Sequence, residues 1–256
     1  MSPHNNHIPF SKECENHSRV ILYIHGVMGS PNEFSNLTGE LNNFPIDYKA
    51  ILLPGHGSTG KQFLNSNPHK WQSFVDHEVE LLGKRYQQVF LIGHSLGGLL
   101  ALNAASRFPI SGIMLINTPL KTRITLRQIG LSLRVLVASK NSHDPLISTY
   151  QDSFSISMQD WWTMPGWVIR LADILLVAAK TRKILPDITT PVIIYQSLQD
   201  ETVHPISADL LKKSLINSKV NLTYFQNSTH AYFEEKDRLL LVRGITQLIN
   251  EPIRSS

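Results

Sequence analysis

Short, nearly unbroken apolar runs alternate along the chain with longer stretches whose apolar residues recur every three or four positions. The runs at 19–25 (RVILYIH), 47–53, 88–93, 110–117, 191–196 (PVIIYQ) and 220–225 have the length and β-branched content of strands buried on both faces. Helical spacing fills the intervals: 31–42 with Phe34, Leu37 and Leu41, 71–85 with Trp71, Phe74, Val75, Val79 and Leu82, then 96–107, 206–215 and 234–250. Strands alternating with helices predict an α/β protein whose mostly parallel sheet is covered by helices on both faces. The alternation breaks at 118–186, which reads as several helices and loops with no convincing strand. Such an insert after the fourth strand is expected to sit as a helical cap over one end of the sheet. The predicted organisation is a polar segment at 1–18, a core from 19–117 and 187–256, and a cap at 118–186.

Composition narrows the function classes. The 256 residues are 42% hydrophobic and 17% charged, a globular balance that can bury a sizeable core. There are 24 Lys+Arg against 20 Asp+Glu, but the cations are scattered and form no stripe with interleaved aromatics, so nucleic acid is not an expected partner. Cys14 is the single cysteine, which rules out an internally stapled scaffold. The polar N-terminus lacks the apolar centre of a signal peptide, and the longest apolar run, 174–179, falls far short of the roughly 20 residues that span a bilayer. A cytoplasmic protein without stable membrane insertion is expected. Weak membrane-surface contact through 174–179 stays open.

The sharpest chemical feature is Gly93-His94-Ser95-Leu96-Gly97, followed by Gly98. It matches G-x-S-x-G between a buried strand and a helix, a context that pushes a serine out above the sheet on a crowded turn. The helix behind it contributes backbone N–H groups and the positive end of its dipole. A serine hydroxyl needs a base. Of the 11 histidines, His4, His7 and His17 lie in the polar tail, His25 and His56 precede glycines in turns, and His69, His77 and His143 read as surface or core. His204 is a weak rival; His230 follows the last strand, where its loop opens at the same end of a parallel sheet as the elbow. Asp200 follows the strand at 191–196 and is the expected acceptor that orients the imidazole, whereas Asp187 lies at the wrong end and Asp209 within a helix. The order Ser95, Asp200, His230 is that of an α/β-hydrolase triad. Oxyanion donors are expected at the Leu96 N–H and, in the turn His25-Gly26-Val27-Met28-Gly29, at the Val27 N–H.

These residues carry a family resemblance. His25-Gly26-Val27-Met28-Gly29-Ser30-Pro31, Leu53-Pro54-Gly55-His56-Gly57, Gly93-His94-Ser95-Leu96-Gly97-Gly98, Asp200 and His230 resemble the α/β-hydrolases of the monoacylglycerol-lipase and bacterial carboxylesterase branch over about residues 19–250. The resemblance implies Ser95 as nucleophile, Asp200 and His230 as its partners, and Val27 and Leu96 as oxyanion donors. It also implies a small-molecule ester substrate such as a short-chain ester or monoacylglycerol. Gly26 and His94 would flank the substrate, and Met158, Trp161, Trp162, Met164 and Trp167 would line an acyl pocket under the cap. One departure is the short N-terminus, which leaves little room for the leading antiparallel strands of larger members.

Other chemistry is not expected. Gly55-His56-Gly57-Ser58-Thr59-Gly60-Lys61 nearly matches a phosphate-binding loop, but position 62 is Gln where Ser or Thr is needed, and 63–68 does not read as a helix start. No metal-ligand spacing and no cofactor motif is present in the sequence. Three readings remain: a carboxylic ester hydrolase working through an acyl-enzyme on Ser95; a thioesterase, acyltransferase or peptidase using the same triad; or a non-catalytic ligand-binding protein on this fold. The acyl length, alcohol and oligomeric state are not legible.

Overall fold

The computed structural model describes residues 7–14, 17–41, 44–122, 154–156 and 162–250. Six strands run where the apolar runs predict them: β2 (Arg19–Ile24), β3 (Asp47–Ile51), β4 (Gln88–His94), β5 (Gly112–Ile116), β6 (Val192–Ser197) and β7 (Val220–Phe225). A seventh, β1 (Phe10–Lys12), falls within the segment read as a polar tail. The sheet order is β1-β3-β2-β4-β5-β6-β7, with β1 antiparallel to β3 and all other pairs parallel. Three residues carry no readable period. β1 exists because the edge of β3 supplies its partners, with Phe10 opposite Ala50 and edge-on to Tyr48.

Helices cover both faces, and the strands alternate their side chains between two cores. Val20, Leu22 and Ile24 of β2 join one core, with Trp71 and Val75 of α3 (Pro68–Arg85) and Leu99 and Leu100 of α4 (Leu96–Ala105). Ile21 and Tyr23 join the other, with Phe34, with Leu37 of α1 (Ser35–Glu40), and with Leu241, Ile245 and Leu248 of the C-terminal helix Glu235–Asn250. Burial on both faces is the reason the strands read as unbroken apolar runs.

The loop after β3 differs from expectation. A short helix, α2 (Gly60–Leu64), begins inside the phosphate-loop look-alike, its start capped by Thr59 accepting from Gln62 N. Asn67 then caps α3 by accepting from Lys70 N, with Pro68 in the first turn. Two caps within nine residues allow a five-residue helix too short to show a period.

Between β5 and β6 the described chain forms the long helix α5 (Met164–Ile184), which packs on α2, α3 and α4. Within the run 174–179, Ile174, Val177 and Ala178 are buried while Leu175 and Leu176 face outward, so the run is a one-sided core contact and not a continuous patch. Among the described residues no helix is long and apolar enough to cross a membrane.

Candidate active site

Parallel pairing brings the C-terminal ends of β2, β4, β6 and β7 to one edge of the sheet, and each delivers one part of the site. Ser95 sits between β4 and α4 with φ 52° and ψ −121°, a left-handed conformation that a non-glycine residue holds only when its surroundings enforce it. The enforcement is visible. A Cβ on Gly97 would collide with the Ile24 carbonyl, and one on Gly93 with the backbone of Gly97 and Gly98. Ser95 N donates to Ile116 O at 2.9 Å, tying the elbow to β5.

A candidate base and its partner come from the loops after β7 and β6. His230 Nδ1 donates to Asp200 Oδ2 at 2.8 Å, and both residues are buried. The other oxygen, Oδ1, accepts from Thr202 N at 2.8 Å and Val203 N at 2.7 Å, which fixes the carboxylate in its own turn. With Nδ1 committed as donor, Nε2 is the atom left to take a proton. Burial, the largest influence, opposes charge on His230, but Asp200, then Glu201 and Glu33, outweigh it and push its pKa up to about 9. His204, the rival, uses Nδ1 to accept from Ile206 N within its own turn.

The oxyanion loop is held by groups the sequence did not mark. Gly26 N donates to Glu33 Oε2 at 3.1 Å and Met28 N donates to His56 Nε2 at 3.1 Å. Both amides beside Val27 are therefore occupied. Leu96 is the first residue of α4, where an N–H has no acceptor within the helix. Val27 and Leu96 remain the two candidate donors for an oxyanion. A Cβ on Gly26 would lie 3.1 Å from Ser95 Cβ, so the loop runs directly against Ser95.

His25 and His56 turn out to be supports. His25 Nδ1 donates to Gly26 O at 2.7 Å while its Nε2 accepts from Leu53 N at 3.0 Å. His56 Nδ1 donates to Pro54 O at 3.3 Å while its Nε2 accepts from Met28 N. Each ring has one acceptor and one donor beside it, which makes both neutral. Burial lowers the pKa of both, and of His56 well below the ordinary histidine value. The Leu53-Pro54-Gly55-His56-Gly57 motif thus shapes the oxyanion loop from behind.

Asn117, at φ 47° and fully buried, was also missed. Its Nδ2 donates to Thr229 O and His230 O, and its Oδ1 accepts from Ser197 N, so one side chain joins β5, β6 and the base loop. Buried Glu201 accepts from His230 N at 3.3 Å. Nothing in local sequence distinguishes these residues from turn residues.

Three expectations about substrate contact change. His94 engages both ring nitrogens within the protein, Nδ1 with Glu33 and Nε2 with His230 O, so neither faces a substrate. Trp162 is 63% exposed and points to solvent, whereas Trp167 is buried against Phe63 and Phe154. Met158 and Trp161 lie outside the described residues, as does the side chain of Met164.

Comparison with known proteins gives the family and the fold. The Hydrolase_4 family, described as serine aminopeptidase S33, matches residues 15–237. The chain is 24% identical over 230 residues to a thermostable monoacylglycerol lipase of Bacillus sp. (strain H-257), covering 90% of this chain and 89% of that one. It is 19% identical to a carboxylesterase of Bacillus subtilis (strain 168), covering 91% and 93%. Among solved structures, one from a study of the metagenome-derived lipolytic enzymes LipS and LipT superposes with a TM-score of 0.74 at 22% identity, covering 96% of this chain and 98% of that one. With a match across most of its length and a seven-stranded sheet that delivers Ser95, Asp200 and His230 to one edge, the chain belongs to the Hydrolase_4 family of serine hydrolases and has the α/β-hydrolase fold.

Proposed function

We propose that the protein is a carboxylic ester hydrolase acting on small to medium acyl esters through an acyl-enzyme on Ser95. The observation that carries this reading is the meeting, at one sheet edge, of a strained elbow serine and a buried Asp200–His230 pair whose Nε2 is left to accept a proton. His230 takes the Ser95 proton as Oγ attacks the carbonyl carbon. Negative charge on the carbonyl oxygen is met by the Val27 and Leu96 N–H groups. The tetrahedral intermediate collapses, the alcohol leaves with the proton from His230, and a water activated by the same imidazole releases the acid. The insert at 118–186 serves as the cap over this edge and sizes the acyl pocket. The named relatives, a monoacylglycerol lipase and a carboxylesterase, support an ester as substrate.

The test is hydrolysis of p-nitrophenyl esters from acetate to palmitate by wild type and Ser95→Ala, with aminoacyl p-nitroanilides alongside. Ester turnover that disappears in the variant supports the proposal. Turnover surviving in Ser95→Ala overturns the mechanism, and turnover of anilides alone transfers the triad to peptide substrates.

A further inference from the structure

We propose that Glu33 and His94 form a second buried ion pair that positions the oxyanion loop, the nucleophile elbow and the base loop against one another. The proposal rests on the reading of Ser95, Asp200 and His230 as the catalytic triad. His94 Nδ1 lies 2.8 Å from Glu33 Oε2, and its Nε2 lies 2.9 Å from His230 O. A carbonyl oxygen only accepts, and so does a carboxylate. Both ring nitrogens of His94 must then donate, and His94 is an imidazolium. The contrast with its neighbours is sharp: His25 and His56 each face one donor and one acceptor, and are neutral.

Glu33 is the matching anion. Burial works against its charge, but the His94 ring, followed by the Gly26 N–H, holds its carboxyl below the ordinary range. The two side chains are 6% and 9% exposed, so water does little to screen them. A buried ion pair contributes weakly to stability compared with apolar packing, but removing one partner strands a charge. Its use here is geometric. Glu33 Oε2 also accepts from Gly26 N, the amide immediately before the oxyanion donor Val27. His94 is bonded through the backbone to Ser95 and through its ring to the residue that supplies the base. One charged pair therefore links three segments that come from sequence positions near 26, 95 and 230. The other titratable groups facing it are His25, the His230 ring at 4.8 Å centroid separation from His94, and, across His230, Asp200 and Glu201.

These are positioning residues, and the test reads position and charge separately. In ¹⁵N-labelled Ser95→Ala protein, His94 should show two ring N–H resonances, identified by their loss in His94→Asn. Glu33→Gln keeps an oxygen that can accept from both Gly26 N and His94 Nδ1, as Glu33 Oε2 does, but carries no negative charge to balance the imidazolium, so both His94 ring N–H resonances should shift. In the otherwise wild-type enzyme, kcat on a p-nitrophenyl ester should fall about tenfold in Glu33→Gln and about 100-fold in Glu33→Ala, with KM within about threefold, because misplacement of the reacting groups and not substrate binding is what changes. A single ring N–H on His94 overturns the proposal, as does a folded Glu33→Ala protein with kcat within twofold of wild type or with KM rising in step with the loss of kcat. If Glu33→Ala does not fold, the ring resonances of Ser95→Ala decide. Two His94 ring N–H resonances in a protein that hydrolyses no ester and takes no fluorophosphonate label support the ion pair while refuting the esterase reading.

Discussion

Asp200→Asn should remove nearly all activity while leaving the fold intact, and the reason lies in the turn that holds the carboxylate. Asp200 Oδ1 accepts from Thr202 N and Val203 N, and Oδ2 accepts from His230 Nδ1. An asparagine at this position keeps its single carbonyl oxygen on the two backbone amides. Turning the amide over would forfeit two hydrogen bonds of about 1 kcal/mol each and leave buried donors unsatisfied at about 1–3 kcal/mol apiece. The amide N–H must therefore face His230 Nδ1, which now has to accept. The ring proton moves to Nε2, the one nitrogen that has to be bare to take the Ser95 proton. Replacing a triad aspartate by asparagine in this manner lowers kcat by about 10⁴, equivalent to about 5.5 kcal/mol of lost transition-state stabilisation. The assay is kcat and KM on p-nitrophenyl butyrate at pH 8, with circular-dichroism melting of both proteins. Activity within tenfold of wild type would refute the tautomer argument. A collapsed melting transition would refute the claim that the turn retains its two amide bonds.

If neutral His230 is the base as proposed, the acid limb of the pH–rate profile should lie above pH 6.5, because its neighbours push its pKa up to about 9 against the effect of burial. As pH falls through that value the imidazole protonates and activity declines; Glu201→Gln removes one of the charges responsible and should move the limb downward, and a wild-type limb at or below 6.5 would contradict the assignment. Asn117→Ala leaves the buried Thr229 carbonyl and the Ser197 N–H without their partner, removes one of two donors to His230 O and places alanine at φ 47°, so urea unfolding should show a loss of about 3–5 kcal/mol together with lower kcat. A loss under about 1 kcal/mol would show that Asn117 is not the joint described. Gly97→Ala places a methyl on the Ile24 carbonyl, and a soluble variant of this kind that retained wild-type activity and melting temperature would refute the close approach of the elbow to β2.

What the sequence determines by itself is whatever is local or periodic. Burial on both faces makes β2 and β4 to β6 nearly unbroken apolar runs, so they were legible, and β3 and the edge strand β7 were legible from their β-branched and aromatic residues. Amphipathic spacing marked α3, a run rich in Leu and Ala marked α4, and the glycine pattern around Ser95 marked the elbow because a tight turn restricts the residues beside it. Asp200 and His230 were reachable because strands paired in parallel put successive loops at one edge. The three-residue β1 and the five-residue α2 were not, since elements shorter than their own period depend on a partner strand or a cap. Nor was the direction of Trp162 and Trp167, which look alike in sequence and face opposite ways on the folded chain. The groups that hold the site together were legible least of all. Glu33 and His94 are 61 residues apart, and Asn117 and His230 are 113 apart. No pattern along the chain encodes such pairs; only the packing of the sheet and its helices excludes water around them, and it is that exclusion which turns ordinary polar residues into obligatory partners.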